Sequence, residues 1–314
     1  MMSEKMATRE AYGATLVKLG ATRDFVVLDA DLAAATKTGM FKKAFPDRFF
    51  DCGIAEGNMM SVAAGIAATG VTPFVSTFAM FAAGRAFEQV RNSIAYPHLN
   101  VKICATHAGI TVGEDGATHQ CNEDISLMRT IPGMTVINPA DAVETEAAVT
   151  AALDFDGPMY IRLGRAPVPT LNDRPDYRFE IGKGYVLAGG TDVTLVATGY
   201  MVHLALEARD ILAAEGISAR VVNIHTIKPL DTALITACAE ETGAVVTAEE
   251  HSIIGGLGSA VAECLADTCP TPLERVGVRD TFGKSGTVPA LLEKFGLTAP
   301  EIAAAARRAI ARKK

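Results

Sequence analysis

Along the chain, short runs of β-branched and aromatic residues alternate with Ala-rich segments whose apolar positions recur at helical spacing. "FVVLDA", "TPFVSTF", "NVKICAT", "MTVINP" and "PMYIRL" are short and apolar almost throughout, the pattern of strands buried on both faces. Between them, "EGNMMSVAAGIAATG" and "AMFAAGRAFEQVRNSIAY" read as helices. Strand–helix alternation builds βαβ units, so the expectation is an α/β fold with doubly wound, mainly parallel sheets.

From Gly164 to about Gly182 the pattern stops, because "GRAPVPTLNDRPDYRFEIG" carries three prolines and several charges. Proline disfavours helix for itself and for the residue before it, so this stretch reads as a linker. Alternation then resumes with "DVTLVATG", a helix from Met201 to Glu215, "ARVVNIHTI", a helix from Asp231 to Glu241, "AVVTAEE" and a helix from about Leu257. The expected organisation is a first domain over 1–165, a linker over 166–182 and a second, smaller α/β domain over 183–314. A chain of 314 residues suits two domains of roughly 150 each.

Composition narrows the class. Hydrophobic residues at 49% and charged residues at 21% are ordinary for a soluble globular protein. A net charge of −7 argues against a nucleic-acid partner, and the basic tail "RRAIARKK" reads as the positive last turn of a helix. The cysteines (Cys52, Cys104, Cys121, Cys238, Cys264, Cys269) form no C-x-x-C pair, and several lie in apolar runs, which points to a reducing, cytoplasmic setting. No apolar run approaches the ~18 residues of a membrane span, and the N-terminus lacks a signal-peptide core.

In an open parallel sheet, ligands bind beyond the carboxyl ends of the strands. Asp29 and Asp31 follow "FVVL", Glu56 follows "RFFDCGIA", Thr77 and Phe78 close "TPFVSTF", and His107 closes "VKICAT". Each also has a structural reading. Glu56 opens a helix, whose dipole favours any acid there. Asp29 and Asp31 suit turn capping, and Phe78, Phe81 and Phe87 suit a core. The stretch "THAGITVGEDGATHQ" has neither strand nor helix period. Its His107, Glu114, Asp115 and His119 could ligate a metal, but a Gly-rich gap between the histidines defines no ligand geometry. In the second domain, "AEEHSIIGGLGSAV" offers His251 and a Gly-rich turn, without the G-x-G-x-x-G spacing of a phosphate loop.

The motifs "MATREAYGATL", "DADL", "GIAEGNMMSVAAGIA", "STFAMF", "THAGITVGEDGATHQ", "IPGMTVINPAD" and "RLGR" occur in one order, and with them the chain resembles the C-terminal half of transketolase: a pyrimidine-binding domain followed by a C-terminal domain. The resemblance implies thiamine diphosphate chemistry and two-carbon ketol transfer from a ketose phosphate to an aldose phosphate. It places the catalytic glutamate at Glu56, which would meet N1′ of the aminopyrimidine, and the ring-packing aromatics at Phe78 and Phe81. Asp31 matches a residue at the cofactor and subunit contact. Arg9, His107, Asp115, His119 and Arg165 match the sugar-phosphate site, with His119 also close to the cofactor's amino group and acting in catalysis.

The family holds Mg²⁺ (or Ca²⁺) and the diphosphate through a "GDG" motif, and no "GDG" occurs here. The resemblance therefore implies the C-terminal subunit of a split transketolase, with an N-terminal partner subunit that holds the metal, in an α2β2 assembly. Two departures touch specificity: the family's "REH" is "AEG" at Ala55, Glu56 and Gly57, and Ala35 stands at a phosphate-contacting Ser position. Alternative readings are a transketolase for an unusual or sulfonated sugar, a 1-deoxyxylulose-5-phosphate synthase-like subunit, a 2-oxo acid dehydrogenase β subunit, and a non-catalytic regulatory subunit.

Overall fold

The computed structural model describes residues 5–313. Its larger sheet has seven strands in the order Thr226–Lys228, Thr135–Ile137, Met159–Arg162, Lys102–Thr106, Pro73–Phe78, Val26–Asp29, Phe49–Asp51. All neighbours run parallel except the first pair. Side chains alternate between its faces as the pleat requires. Leu28, Val75, Ile103 and Tyr160 meet helix Glu56–Ala68 and the helical stretch after Ala79, whereas Val27, Phe74, Cys104 and Ile161 meet helices Thr8–Gly20 and Ala142–Asp154. Both faces are therefore dry, which is why these strands carry almost unbroken apolar runs.

The smaller sheet has five strands in the order Leu273–Val278, Val245–Ser252, Val193–Ala197, Ala219–Asn223, Tyr185–Ala188, the last antiparallel. Helices Met201–Ala213 and Ala299–Ala311 cover one face, and Thr232–Thr242 and Leu257–Asp267 the other. Among the described residues no helix is long and apolar enough to cross a membrane, and all six cysteines are free thiols.

The fold departs from the sequence reading in three places. The helix over "AMFAAGRAFEQVRNSIAY" is interrupted: Met80–Arg85 and Val90–Ala95 are π-helical around Phe87–Gln89. "ARVVNIHTI" is not one strand, because Ala219–Asn223 joins the smaller sheet while Thr226–Lys228 pairs antiparallel with Thr135–Ile137. That crossing closes an edge of the larger sheet that would otherwise stand open. Finally, the stretch read as a linker over 166–182 contains a short strand. Pro167–Pro169 pairs antiparallel with Lys5–Ala7 in a two-stranded ribbon, a peripheral position where proline is tolerated.

Beyond that ribbon the segment is tied down through the start of helix Ala142–Asp154. Asp141 caps the helix at Glu144 N–H and accepts the N–H groups of Leu171 and Asn172 at 2.6 and 2.7 Å. Glu144, fully buried, accepts from the Tyr177 hydroxyl at 2.5 Å, from Asn223 Nδ2 at 2.8 Å and from the Ala140 N–H at 2.6 Å. One carboxyl group thus joins the first domain, the connecting segment and the second domain.

Burial raises the Glu144 pKa to about 7, against the lowering effect of its three donors. The folded chain therefore binds a proton more tightly here than the unfolded chain, and stability is lost as pH rises from about 4.5 towards 7. Denaturant titrations at about pH 5 and about pH 7.5 should differ by a contribution on the order of 3 kcal/mol from this group. Glu144→Gln should remove that difference, and an undiminished pH dependence in the variant would exclude Glu144 as its source.

Candidate active site

Strands Val26–Asp29, Pro73–Phe78, Lys102–Thr106 and Met159–Arg162 lie side by side and parallel, so their carboxyl ends share one edge of the sheet. Asp29, buried at the first of these ends, shapes its loop. One oxygen accepts the Leu32 N–H at 2.7 Å, and the other accepts the hydroxyls of Thr36 and Thr38 at 2.7 and 2.8 Å. Burial pushes its pKa up to about 6. Asp31 follows with φ of 62°, a left-handed conformation that aspartate adopts more readily than most residues, and its N–H donates to Asp51 Oδ1 at 3.1 Å.

Glu56 is the first residue of helix Glu56–Ala68 and is only 1% exposed. Arg85 Nη1 lies 2.9 Å from both of its carboxylate oxygens. The same guanidinium sits over the Phe81 ring, 4.5 Å from its centroid. Phe81 stacks on Phe78 at 5.8 Å, and Phe78 stacks on the His107 imidazole at 3.8 Å. His119 meets both phenylalanine rings edge-on, at 5.5 Å from Phe81 and 6.1 Å from Phe78. The structure thus gathers Glu56, Phe78, Phe81, His107 and His119 into one contiguous cluster. Phe78 and Phe81 are not interior packing alone, since one side of their stack is built from imidazoles.

Arg85 is the member that sequence reading misses. It ends the π-helical turn Met80–Arg85, and such a turn changes which side chains share a helix face. Ordinary helical spacing therefore gives no reason to pair position 85 with Glu56.

His107 is buried with φ of 56°. Its Nε2 lies 3.0 Å from Arg9 Nη1 and its Nδ1 lies 2.9 Å from Thr106 Oγ1. A guanidinium only donates, so Nε2 accepts and the ring proton belongs on Nδ1. Burial, reinforced by the positive charges of Arg9 and Arg165, depresses its pKa to about 3. Arg9 also donates to the Ala35 carbonyl at 2.9 Å. Arg165 Nη1 donates to the Val112 carbonyl and lies 3.6 Å from Glu114 Oε2. Arg9 and Arg165 accordingly form a cationic flank beside a neutral imidazole. Asp115 stands exposed in the same loop, and no hydrogen bond or ion pair joins the side chain of Asp31 or Asp115 to the cluster among the described residues.

The arrangement suits one end of a heteroaromatic cofactor. A buried carboxyl can face a ring nitrogen, stacked aromatic rings can pack on a ring, and imidazoles lie alongside. Thr77 Oγ1, buried on the same strand end, has no hydrogen-bond partner. Among the described residues no group of three or more His, Cys, Asp or Glu could hold an ion.

The chain matches the pyrimidine-binding domain of transketolase over residues 4–170 and the transketolase C-terminal domain over residues 182–302. A Methanocaldococcus jannaschii protein named for the transketolase C-terminal section is 50% identical, over 94% of this chain and 93% of its own length. The 6-deoxy-6-sulfo-D-fructose transketolase subunit SqwH of Clostridium sp. is 49% identical, over 97% of this chain and 95% of its own. A solved structure described as a split-gene transketolase, inactive β4 tetramer, is 57% identical and superposes with a TM-score of 0.91, covering 99% of this chain and 100% of that one. Matched in both domains and along nearly the full length of these relatives, the chain belongs to the transketolase family and carries its pyrimidine-binding and C-terminal domains.

Proposed function

We propose that this chain is the C-terminal subunit of a two-chain, thiamine diphosphate-dependent transketolase that moves a two-carbon ketol unit from a ketose phosphate to an aldose phosphate. The observation that carries the reading is the cluster of Glu56, Phe78, Phe81, His107 and His119 at one sheet edge, with Arg9 and Arg165 beside it. When bound, thiamine diphosphate supplies the carbon nucleophile that cleaving a bond beside a ketol carbonyl requires. Glu56 is the group to share a proton with N1′ of the aminopyrimidine, while Phe81, Phe78 and Asp31 hold that ring end. Arg85 holds the Glu56 side chain through both of its carboxylate oxygens.

The sugar is the task of the loop that follows Thr106. His107, neutral and protonated on Nδ1, offers an uncharged ring to hydroxyls, with Asp115 and His119 completing the wall and His119 moving protons. Arg9 and Arg165 suit an anionic sugar terminus, since a guanidinium fork matches phosphate. An N-terminal partner subunit supplies the site for Mg²⁺ or Ca²⁺ and the diphosphate, in an α2β2 assembly. In support, the similar split-gene transketolase structure is described as an inactive β4 tetramer. A sulfonated or otherwise unusual ketose is the second reading for the donor. It is favoured by Ala35, which removes a hydroxyl where the family pattern has a phosphate-contacting Ser, and by a relative named for 6-deoxy-6-sulfo-D-fructose. The free cysteines accord with a reducing, cytoplasmic setting.

Two measurements test this reading. Glu56→Gln, mixed with the partner subunit, should assemble normally by gel filtration but lose at least about 100-fold in ketol transfer from xylulose 5-phosphate to ribose 5-phosphate. Retained turnover would remove Glu56 from catalysis, and full turnover by this chain alone would overturn the two-chain assignment. In histidine-ring NMR spectra, with His107→Asn for assignment, the His107 signals should not titrate between about pH 5 and pH 8. A midpoint inside that range would mean the ring serves as an acid or base instead of a neutral hydrogen-bonding group.

A further inference from the structure

The second domain touches the loop that faces the sugar at two places. Glu250, near the carboxyl end of strand Val245–Ser252, is buried and accepts the Thr111 N–H at 2.6 Å through Oε1. Gly109 packs so tightly on the same carboxyl group that a Cβ there would lie 2.3 Å from it. At the loop's other end Gln120, next to His119, donates from Nε2 to the carbonyls of Ile110 and Gly113 at 3.1 and 3.2 Å and to that of Lys284 at 2.9 Å. A Cβ on Gly283 would lie 1.8 Å from Gln120 Oε1. The loop is therefore cast against two separate segments of the second domain.

We infer that Glu250 is a positioning residue that fixes the sugar-facing loop, so that the second domain sets affinity for the sugar without touching it. This rests on the reading of that loop as the substrate wall. Glu250 is itself held from the first domain, because Arg162 Nη2 donates to its backbone carbonyl at 2.8 Å. Burying a carboxyl group is costly, and an ordinary domain contact would be served as well by apolar packing. Besides offsetting the nearby Arg162 charge, the carboxyl group supplies a defined acceptor for one backbone N–H in a loop with little regular structure of its own. Thr111 lies in the short 3₁₀ turn Ile110–Val112, between His107 and His119, so losing that acceptor frees the segment that spaces the two histidines.

The test compares Glu250→Ala with Glu250→Gln, which keeps an amide oxygen as acceptor. Hydrogen exchange on this chain reads the loop directly, with no need for activity. Exchange over 109–120 should accelerate about tenfold in Glu250→Ala and remain near wild type in Glu250→Gln. In the assembled enzyme, Glu250→Ala should raise KM for the donor sugar about tenfold, with kcat within about threefold and thiamine diphosphate affinity unchanged. Unchanged loop exchange in Glu250→Ala would overturn the inference, as would a fall in kcat at constant KM. If Glu250→Ala does not fold, Gly283→Ala, which presses on Gln120, should accelerate the same exchange; protection equal to wild type would count against the loop's dependence on the second domain. A wild-type assembly without ketol transfer would refute the proposed reaction while leaving the exchange result to decide the role of Glu250.

Discussion

The buried Arg162–Asp124 pair is the contact on which the rest of the site depends. Arg162 ends a central strand of the larger sheet, and its Nε lies 2.8 Å from Asp124 Oδ2, with the two side chains 3% and 0% exposed. The Tyr160 hydroxyl donates to the same oxygen at 2.9 Å. Burial by itself would lower the guanidinium pKa, but Asp124 and Glu250 more than reverse that, so the charge is retained in the interior. Removing one member of such a pair costs about 3–5 kcal/mol, because the other is left buried and uncompensated. The remaining Arg162 donors reach the Cys121 carbonyl at 3.4 Å and the Glu250 carbonyl at 2.8 Å. One side chain therefore holds the exit of the loop that follows Thr106 and the strand of the second domain that supports it.

Around that centre the two sheets are joined by contacts that no isolated domain would satisfy. The N–H of Asn138 donates to the His225 carbonyl at 2.7 Å, and that of Ser252 donates to the Asn122 carbonyl at 2.8 Å. Lys228 Nζ donates to the carbonyls of Arg129 and Ile131, at 2.8 and 2.5 Å. Arg129 returns the exchange by donating to the Gly255 carbonyl at 2.6 Å. Each contact satisfies a backbone group that would otherwise be stranded where the domains meet. The consequence is mechanical. The loops at the strand ends of the first domain are fixed from both sides, which is the rigidity a site needs when its groups must act at hydrogen-bond precision.

Much of this was legible in the sequence, and the limits are physical. Strands covered on both faces must be apolar nearly throughout, so "PFVSTF" and "KICAT" announce themselves. Residues at the ends of such runs point to one sheet edge, and the structure does bring Glu56, Phe78 and His107 into one cluster there. Thr226–Lys228 and Pro167–Pro169 were not legible as separate strands, because their pairing partners lie far away in the chain. Arg85 was hidden by π-helical turns that spacing rules do not encode. Arg162 did leave a signal, a cation inside the apolar run "PMYIRL". Reading it required asking what anion could be buried with it, and Asp124 lies in a segment with no comparable pattern.

The same electrostatic logic separates the two halves of the site. On one side burial, reinforced by the positive charges of Arg9 and Arg165, keeps His107 neutral, so positive charge there resides on guanidiniums, which cannot give up a proton at physiological pH. On the other, Arg85 holds Glu56, the acid at the ring-facing end. The stacked rings of Phe81 and Phe78 lie between, with Arg85 over one and His107 against the other. Two phenylalanines therefore separate a buried carboxyl–guanidinium pair from a cationic flank beside a neutral imidazole, so the two ends of the cluster differ in charge and in what they can hold.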